Sequence, residues 1–141
     1  MRMWCLVPVV AGSLVSSGGQ AVNALAATST QEGSGRDNLT NSQRNAVRSA
    51  KQYLRMTGFS REGLIQQLSS DAGDGYSESD ATVAVDSLNV DWKENAVRSA
   101  KQYLHMTGFS CKGLIEQLSS SAGDKYTVEQ ATYGAQQAGA C

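Results

Sequence analysis

Asn45–Ala72 reads NAVRSAKQYLRMTGFSREGLIQQLSSDA, and Asn95–Ala122 reads NAVRSAKQYLHMTGFSCKGLIEQLSSSA. The offset is 50 residues without a gap, and five of the 28 aligned positions differ: 55/105, 61/111, 62/112, 66/116 and 71/121. A fixed period of this kind means one supersecondary unit used twice. The likeness fades afterwards, although Gly73, Asp74, Tyr76, Ala81 and Thr82 return as Gly123, Asp124, Tyr126, Ala131 and Thr132. This repeat decides the fold class.

Each unit carries three helical patterns. Helix A is expected from about Ser42 to Thr57. At 100° per residue, Ala46, Val47, Ala50, Tyr53, Leu54 and Thr57 share one arc of roughly 120°. Arg44, Arg48, Lys51 and Arg55 fall on a separate arc of roughly 60°. Gly58 is expected to stop the helix in a left-handed conformation. Helix B is expected over Arg61 to Asp71 behind the N-cap Ser60, with Leu64, Ile65 and Leu68 as its buried stripe. Gly73-Asp74-Gly75 breaks the chain. Helix C follows Ser77, with Ala81, Ala84, Val85 and Leu88 at helical spacing. Ser77 with Asp80, Thr127 with Gln130, and Asp91 with Glu94 read as capping boxes. No strand pattern competes, so the chain reads as all-α, with two tandem three-helix units.

Outward from the repeat, the first 26 residues read as an export signal. Arg2 is followed by a mostly apolar, uncharged run from Met3 to Val15, and Ala24-Leu25-Ala26 fits a cleavage site. The run is short for a membrane span. Residues 27–41 are rich in Ser, Thr, Gly and Asn and read as a flexible linker. Asn38-Leu39-Thr40 fits a glycosylation sequon, a weak pattern. The first repeat then spans 42–91 and the second 92–141.

The formal net charge of -1 excludes a protein that coats nucleic acid by charge alone. Catalytic chemistry is sparse. His105, the one histidine, occupies the place of Arg55, and Cys111 lies six residues on. No third group orients such a pair, and the first unit has neither residue, so no catalytic residue is assigned. Gly73-Asp74-Gly75 lacks the Lys-Ser/Thr of a phosphate loop. Two cysteines beyond the signal are too few and too far apart for a zinc site. No metal or other cofactor is expected.

Those two cysteines, Cys111 and Cys141, are instead expected to pair. Their counterparts one repeat earlier are Arg61 and Asp91, at the start of helix B and just past helix C. An antiparallel B–C hairpin makes these points neighbours. Opposite charges would meet there in the first unit and two thiols in the second, and export permits oxidation.

The run NAVRSAKQYL…TGFS…GLI.QL, with Tyr76, Ala81-Thr82-Val83-Ala84-Val85 and Val90-Asp91-Trp92 leading into the next copy, resembles the host-cell-surface-exposed lipoprotein domain. The resemblance covers about Asn45 to Cys141. It implies a compact domain of helix-turn-helix type, displayed outside the membrane of Gram-positive bacteria and found in tandem in prophage superinfection-exclusion lipoproteins. It further implies a block on entry of phage DNA, through contact of a basic surface with a phage tail component. Arg48, Lys51, Arg98 and Lys101 are the matching basic positions, and Arg44, Arg55 and His105 extend the set on the same helix faces. The lipoprotein members carry a cysteine just after the signal's apolar run, whereas Cys5 precedes it here. Membrane attachment is therefore expected only through an uncleaved signal or if the start is misassigned.

The sequence thus reads as an exported binding module with a protein partner at the cell surface. A helix-turn-helix DNA-binding protein and a structural cell-wall protein are the alternatives. The export signal and the weak overall charge count against nucleic acid as the partner.

Overall fold

Apolar spacing and caps set the helices, and the helices pair through small residues. The computed structural model describes residues 38–141. The expected export signal and nearly all of the expected linker lie outside them. Six helices follow in order: α1 Asn41–Met56, α2 Arg61–Ser69, α3 Glu78–Asp86, α4 Trp92–Met106, α5 Cys111–Ser119 and α6 Val128–Gln137. No strand occurs among the described residues. The all-α architecture of two tandem three-helix units is therefore as expected, and Leu39–Cys141 forms one compact unit.

The helix ends follow local chemistry. Thr40 caps α1 in a full capping box with Gln43, a signal that the sequon reading of Thr40 had passed over. Thr127 and Gln130 form the same box on α6. Ser77 and Asp91 do only half of this. Each accepts the backbone N–H three residues on, from Asp80 and Glu94. The Asp80 carboxylate instead accepts from Gln43 Nε2 at 3.1 Å, tying α3 to the first turn of α1. In the second repeat Lys93 and Glu129 make the equivalent tie at 2.9 Å. Helix α2 ends at Ser69, two residues before the expected end, because Ser70 turns the chain and its carbonyl accepts from Gly73 and Gly75. Gly75 has φ 72°, which glycine adopts without strain, and Lys125 takes φ 63° at the same place in the second repeat.

Each repeat has its own core. Leu64, Ile65, Leu68, Ala50, Ala81 and Val85 fill the first, and Leu114, Leu118, Tyr126, Ala96, Ala100, Ala131 and Ala135 fill the second. Burying each leucine contributes roughly 1.5–3 kcal/mol. Aromatic side chains pack against each core: Tyr53 meets Phe59 and Tyr103 meets Phe109 edge-to-face, with centroids 5.7 and 5.6 Å apart. Trp92 opens the second repeat yet packs on the core of the first. The second core has smaller side chains on its third helix. Gly134 replaces Ala84, and a Cβ there would stand 2.7 Å from the backbone of Ala96, so α6 lies against α4 backbone to backbone.

Cys111 and Cys141 are joined, with Cα atoms 4.8 Å apart. The expected counterpart in the first repeat needs correction. Arg61 does not meet Asp91, which caps α4. It binds Asp86 in a two-point pair, Nε to Oδ1 at 2.7 Å and Nη2 to Oδ2 at 2.9 Å. An arginine reaches back to the last turn of α3, whereas two thiols must bring their backbones together. Both contacts close the same end of the hairpin.

Arg61 holds the Asp86 carboxyl below its ordinary range by hydrogen bonding, against a smaller opposing effect of burial. A lowered folded-state value gives stability that is present above the unfolded value near ~4 and lost as the pH falls through the folded value. Both side chains are well exposed, so the pair contributes about 0.5 kcal/mol. Asp86→Asn is expected to lose that amount at pH 7 and almost nothing once the parent's carboxyl is protonated. Urea midpoints of parent and variant across the acid range check this; a gap that persists unchanged into strong acid counts against it.

Candidate partner-binding face

Four cations line one exposed face of α1: Arg44, Arg48, Lys51 and Arg55. The helix requires this grouping, because its other face supplies Ala46 and Ala50 to the interior at no exposure. None of the four joins an ion pair among the described residues.

The second repeat has the same residues in a different setting. The turn between α1 and α2 lies on α4. Arg98, the counterpart of Arg48, is half-buried and donates Nη1 to the carbonyl of Leu54 at 2.7 Å. That carbonyl lies in the last turn of α1, where cations are favoured. Thr57 Oγ1 donates to Gln102 Oε1 at 2.5 Å, the Phe59 N–H donates to Asn95 Oδ1 at 3.4 Å, and Ser60 Oγ donates to the carbonyl of Asp124. Gly58 is not left-handed, contrary to expectation; among the described residues Gly75 and Gly139 are the glycines with positive φ. Thr57 ends α1 in an extended conformation. Gly58 matters through its size. A Cβ on it would stand 2.5 Å from Ser99 Oγ, 2.6 Å from the Asn95 carbonyl oxygen and 2.9 Å from the Ser99 nitrogen.

A groove of about 890 Å³ runs along this junction, lined by Lys101, His105 and Met106 of α4, by Gly63 and Gln66 of α2, and by Asp124. Burial pushes the Asp124 carboxyl up, and a hydrogen bond from Tyr103 Oη at 2.8 Å opposes that only in part. Burial also raises the phenol of Tyr126, which shares a hydrogen bond with Ser99 at 2.8 Å. In the first repeat the matching Asp74 is exposed and accepts from Tyr53 Oη at 2.7 Å.

The expected site residues therefore separate into sets. Arg44, Arg48, Lys51 and Arg55 form an open face on α1. Lys101 and His105 remain exposed on α4, beside the groove. Arg98 stands apart, engaged between the repeats. Cys111 and Cys141 lie at the hairpin end of the second repeat. No group of three or more metal-ligating side chains occurs among the described residues. His105 and Cys111 do not form a pair, because the thiol is bonded to Cys141. The residues that sequence reasoning missed are those of the junction itself: Thr57, Gly58, Ser60, Asn95, Ser99 and Gln102. All are identical in both repeats, so no local signal marks the copies that touch.

The family described as host cell surface-exposed lipoprotein matches residues 41–88 and 91–137. The chain is similar to the solved structure of Ltp, a superinfection exclusion protein from the Streptococcus thermophilus temperate phage TP-J34, at 34% sequence identity and a TM-score of 0.63, over 70% of this chain and 97% of that one. No curated protein matches the chain. The two matched stretches coincide with the two three-helix repeats, and this chain belongs to the host cell surface-exposed lipoprotein family, whose domain it carries twice.

Proposed function

We propose that this protein acts outside the cell membrane in superinfection exclusion, and that it does so by binding. The open basic face of α1 grips an acidic surface on a component of an incoming phage, a tail protein being the partner implied by the resemblance. The observation that carries this reading is the state of Arg44, Arg48, Lys51 and Arg55. They are exposed, share one face and make no ion pairs among the described residues. Their counterpart Arg98 shows what such a residue does when the fold needs it. A cell-surface or exported location suits the family description. The disulfide is consistent with an oxidising compartment. Binding fits better than catalysis, because the Cys111 thiol, the nucleophile that His105 could have served, is bonded to Cys141. Binding to DNA is disfavoured by the net charge of -1 and by engagement of Arg98 between the repeats.

Changing Arg44, Arg48, Lys51 and Arg55 together to Glu is expected to abolish protection of cells against phage. Arg98 is left intact, since its removal would strip the Leu54 carbonyl of a partner. Secondary structure and the urea midpoint should stay near those of the parent, because exposed substitutions of this kind shift stability by about 0.5 kcal/mol each or less. Full protection by a folded variant would reduce the face to a solvated surface. Protection by the parent should also weaken with ionic strength, as attraction between exposed charges is screened beyond about 10 Å at 0.1 M salt.

A further inference from the structure

The junction between the repeats is head-to-tail. It uses the α1–α2 turn of the first repeat and the α4 face of the second. Each repeat contains both parts, so one turn and one face are left over. The unused turn is Thr107-Gly108-Phe109-Ser110, and the unused face is Asn45, Arg48, Ser49 and Gln52 with Asp74. Every one of these residues is identical to its counterpart in the junction. Burial records the difference: Ser60, Asn95 and Ser99 keep 1%, 7% and 3% of their surface, while Ser110 and Asn45 are exposed and Ser49 is half-buried.

We infer that the leftover turn of one chain docks on the leftover face of a second copy, repeating the internal junction between molecules. Contacts at the new junction follow from those on the page. Arg48 would donate to the Leu104 carbonyl, Thr107 to Gln52, and Ser110 to the carbonyl of Asp74. The Phe109 N–H would meet Asn45.

The positions that differ between repeats add a charge argument. Gln66 and His105 both line the groove of the internal junction. Shifted by one repeat, the same two places hold Glu116 on the docking chain and Arg55 on the receiving one. The chain thus carries an anion beside its free turn and a cation beside its free face. Glu116 has an exposed lysine, Lys112, 3.9 Å away, a contact long enough to leave it available. A contact of this kind is heterologous, and it builds an open row of molecules rather than a closed dimer. It shares Arg48 and Arg55 with the proposed phage contact, so a face covered by a second copy is closed to the phage component.

Gly108 supplies the test. A Cβ at Gly108 meets nothing within 4 Å, whereas at Gly58 it would collide with the backbone of Asn95 and Ser99. Gly108→Ala should therefore fold as the parent does and fail to associate. The measurement is sedimentation of residues 38–141 and of the full chain from about 10 µM to about 1 mM, since a junction closed within one chain enjoys an effective concentration in the millimolar range. The parent's average mass should climb with concentration past that of a dimer. Gly108→Ala should stay monomeric throughout. Glu116→Arg should also weaken association, and combining it with Arg55→Glu should restore it. A parent that stays monomeric over the whole range overturns the inference, as does association undiminished in Gly108→Ala. Gly108→Ala leaves every cation of α1 in place. Loss of assembly in this variant is thus separable from loss of the proposed phage contact.

Discussion

Replacing Cys111 and Cys141 by Ser is expected to lower the stability of the folded chain by about 3–4 kcal/mol, the chain-entropy effect of closing a loop of this length. The bridge spans 30 residues and ties the first residue of α5 to Cys141, beyond α6. It serves the repeat that needs it most. Helix α6 contributes Ala131, Gly134 and Ala135 to its core, where α3 contributes Ala81, Ala84 and Val85. The first repeat has the Arg61–Asp86 pair at the same end, with Trp92 packed on its core. The effect should therefore concentrate in α5 and α6. Urea unfolding of the parent with and without reductant, beside the double serine variant, measures the total. Amide exchange should show the largest loss of protection in α6. A loss below about 1 kcal/mol would mean that the reduced chain keeps its hairpin closed by other contacts.

Leu64→Ala and Leu114→Ala are each expected to cost about 3 kcal/mol, within the 2–5 typical of a buried leucine truncated to alanine. Both leucines are fully buried at the same place in their repeats, each on the second helix facing the third. In the first repeat the neighbours that could fill the space are Ile65 and Val85, both branched and stiff. In the second Ile115 is retained, but Ala135 stands where Val85 does, and an alanine cannot reach into a void. Leu114→Ala is therefore expected to be the costlier of the two. Each core belongs to a unit too small to be robust alone. Damage to either should still produce one unfolding transition, since the junction and Trp92 couple the repeats. Urea titrations followed by both far-ultraviolet dichroism and tryptophan fluorescence decide this. Coincident curves are expected, and curves that part would show the repeats unfolding separately.

The helices, their caps at Ser60, Thr127 and Asp91, the two buried stripes and the pairing of Cys111 with Cys141 were all legible in the residues. Each rests on spacing within a few residues or on the repeat offset, which carries a contact in one copy over to the other. The same reasoning erred where reach mattered more than position, taking Asp91 rather than Asp86 as the partner of Arg61. It also erred at Gly58, where glycine answers a need for close approach and not for a left-handed backbone.

The candidate face was legible only as a set of equivalent cations. Arg48 and Arg98 sit in identical local sequence, as do Gly58 and Gly108, and Ser60 and Ser110. Nothing in their neighbours distinguishes them, because helical periodicity is blind to which copy lies beside which. Tertiary structure makes the distinction. A head-to-tail contact between two like units engages one turn and one face, and it leaves the other turn and the other face open. That asymmetry binds Arg98 to the Leu54 carbonyl and leaves Arg48 in solvent with Arg44, Lys51 and Arg55.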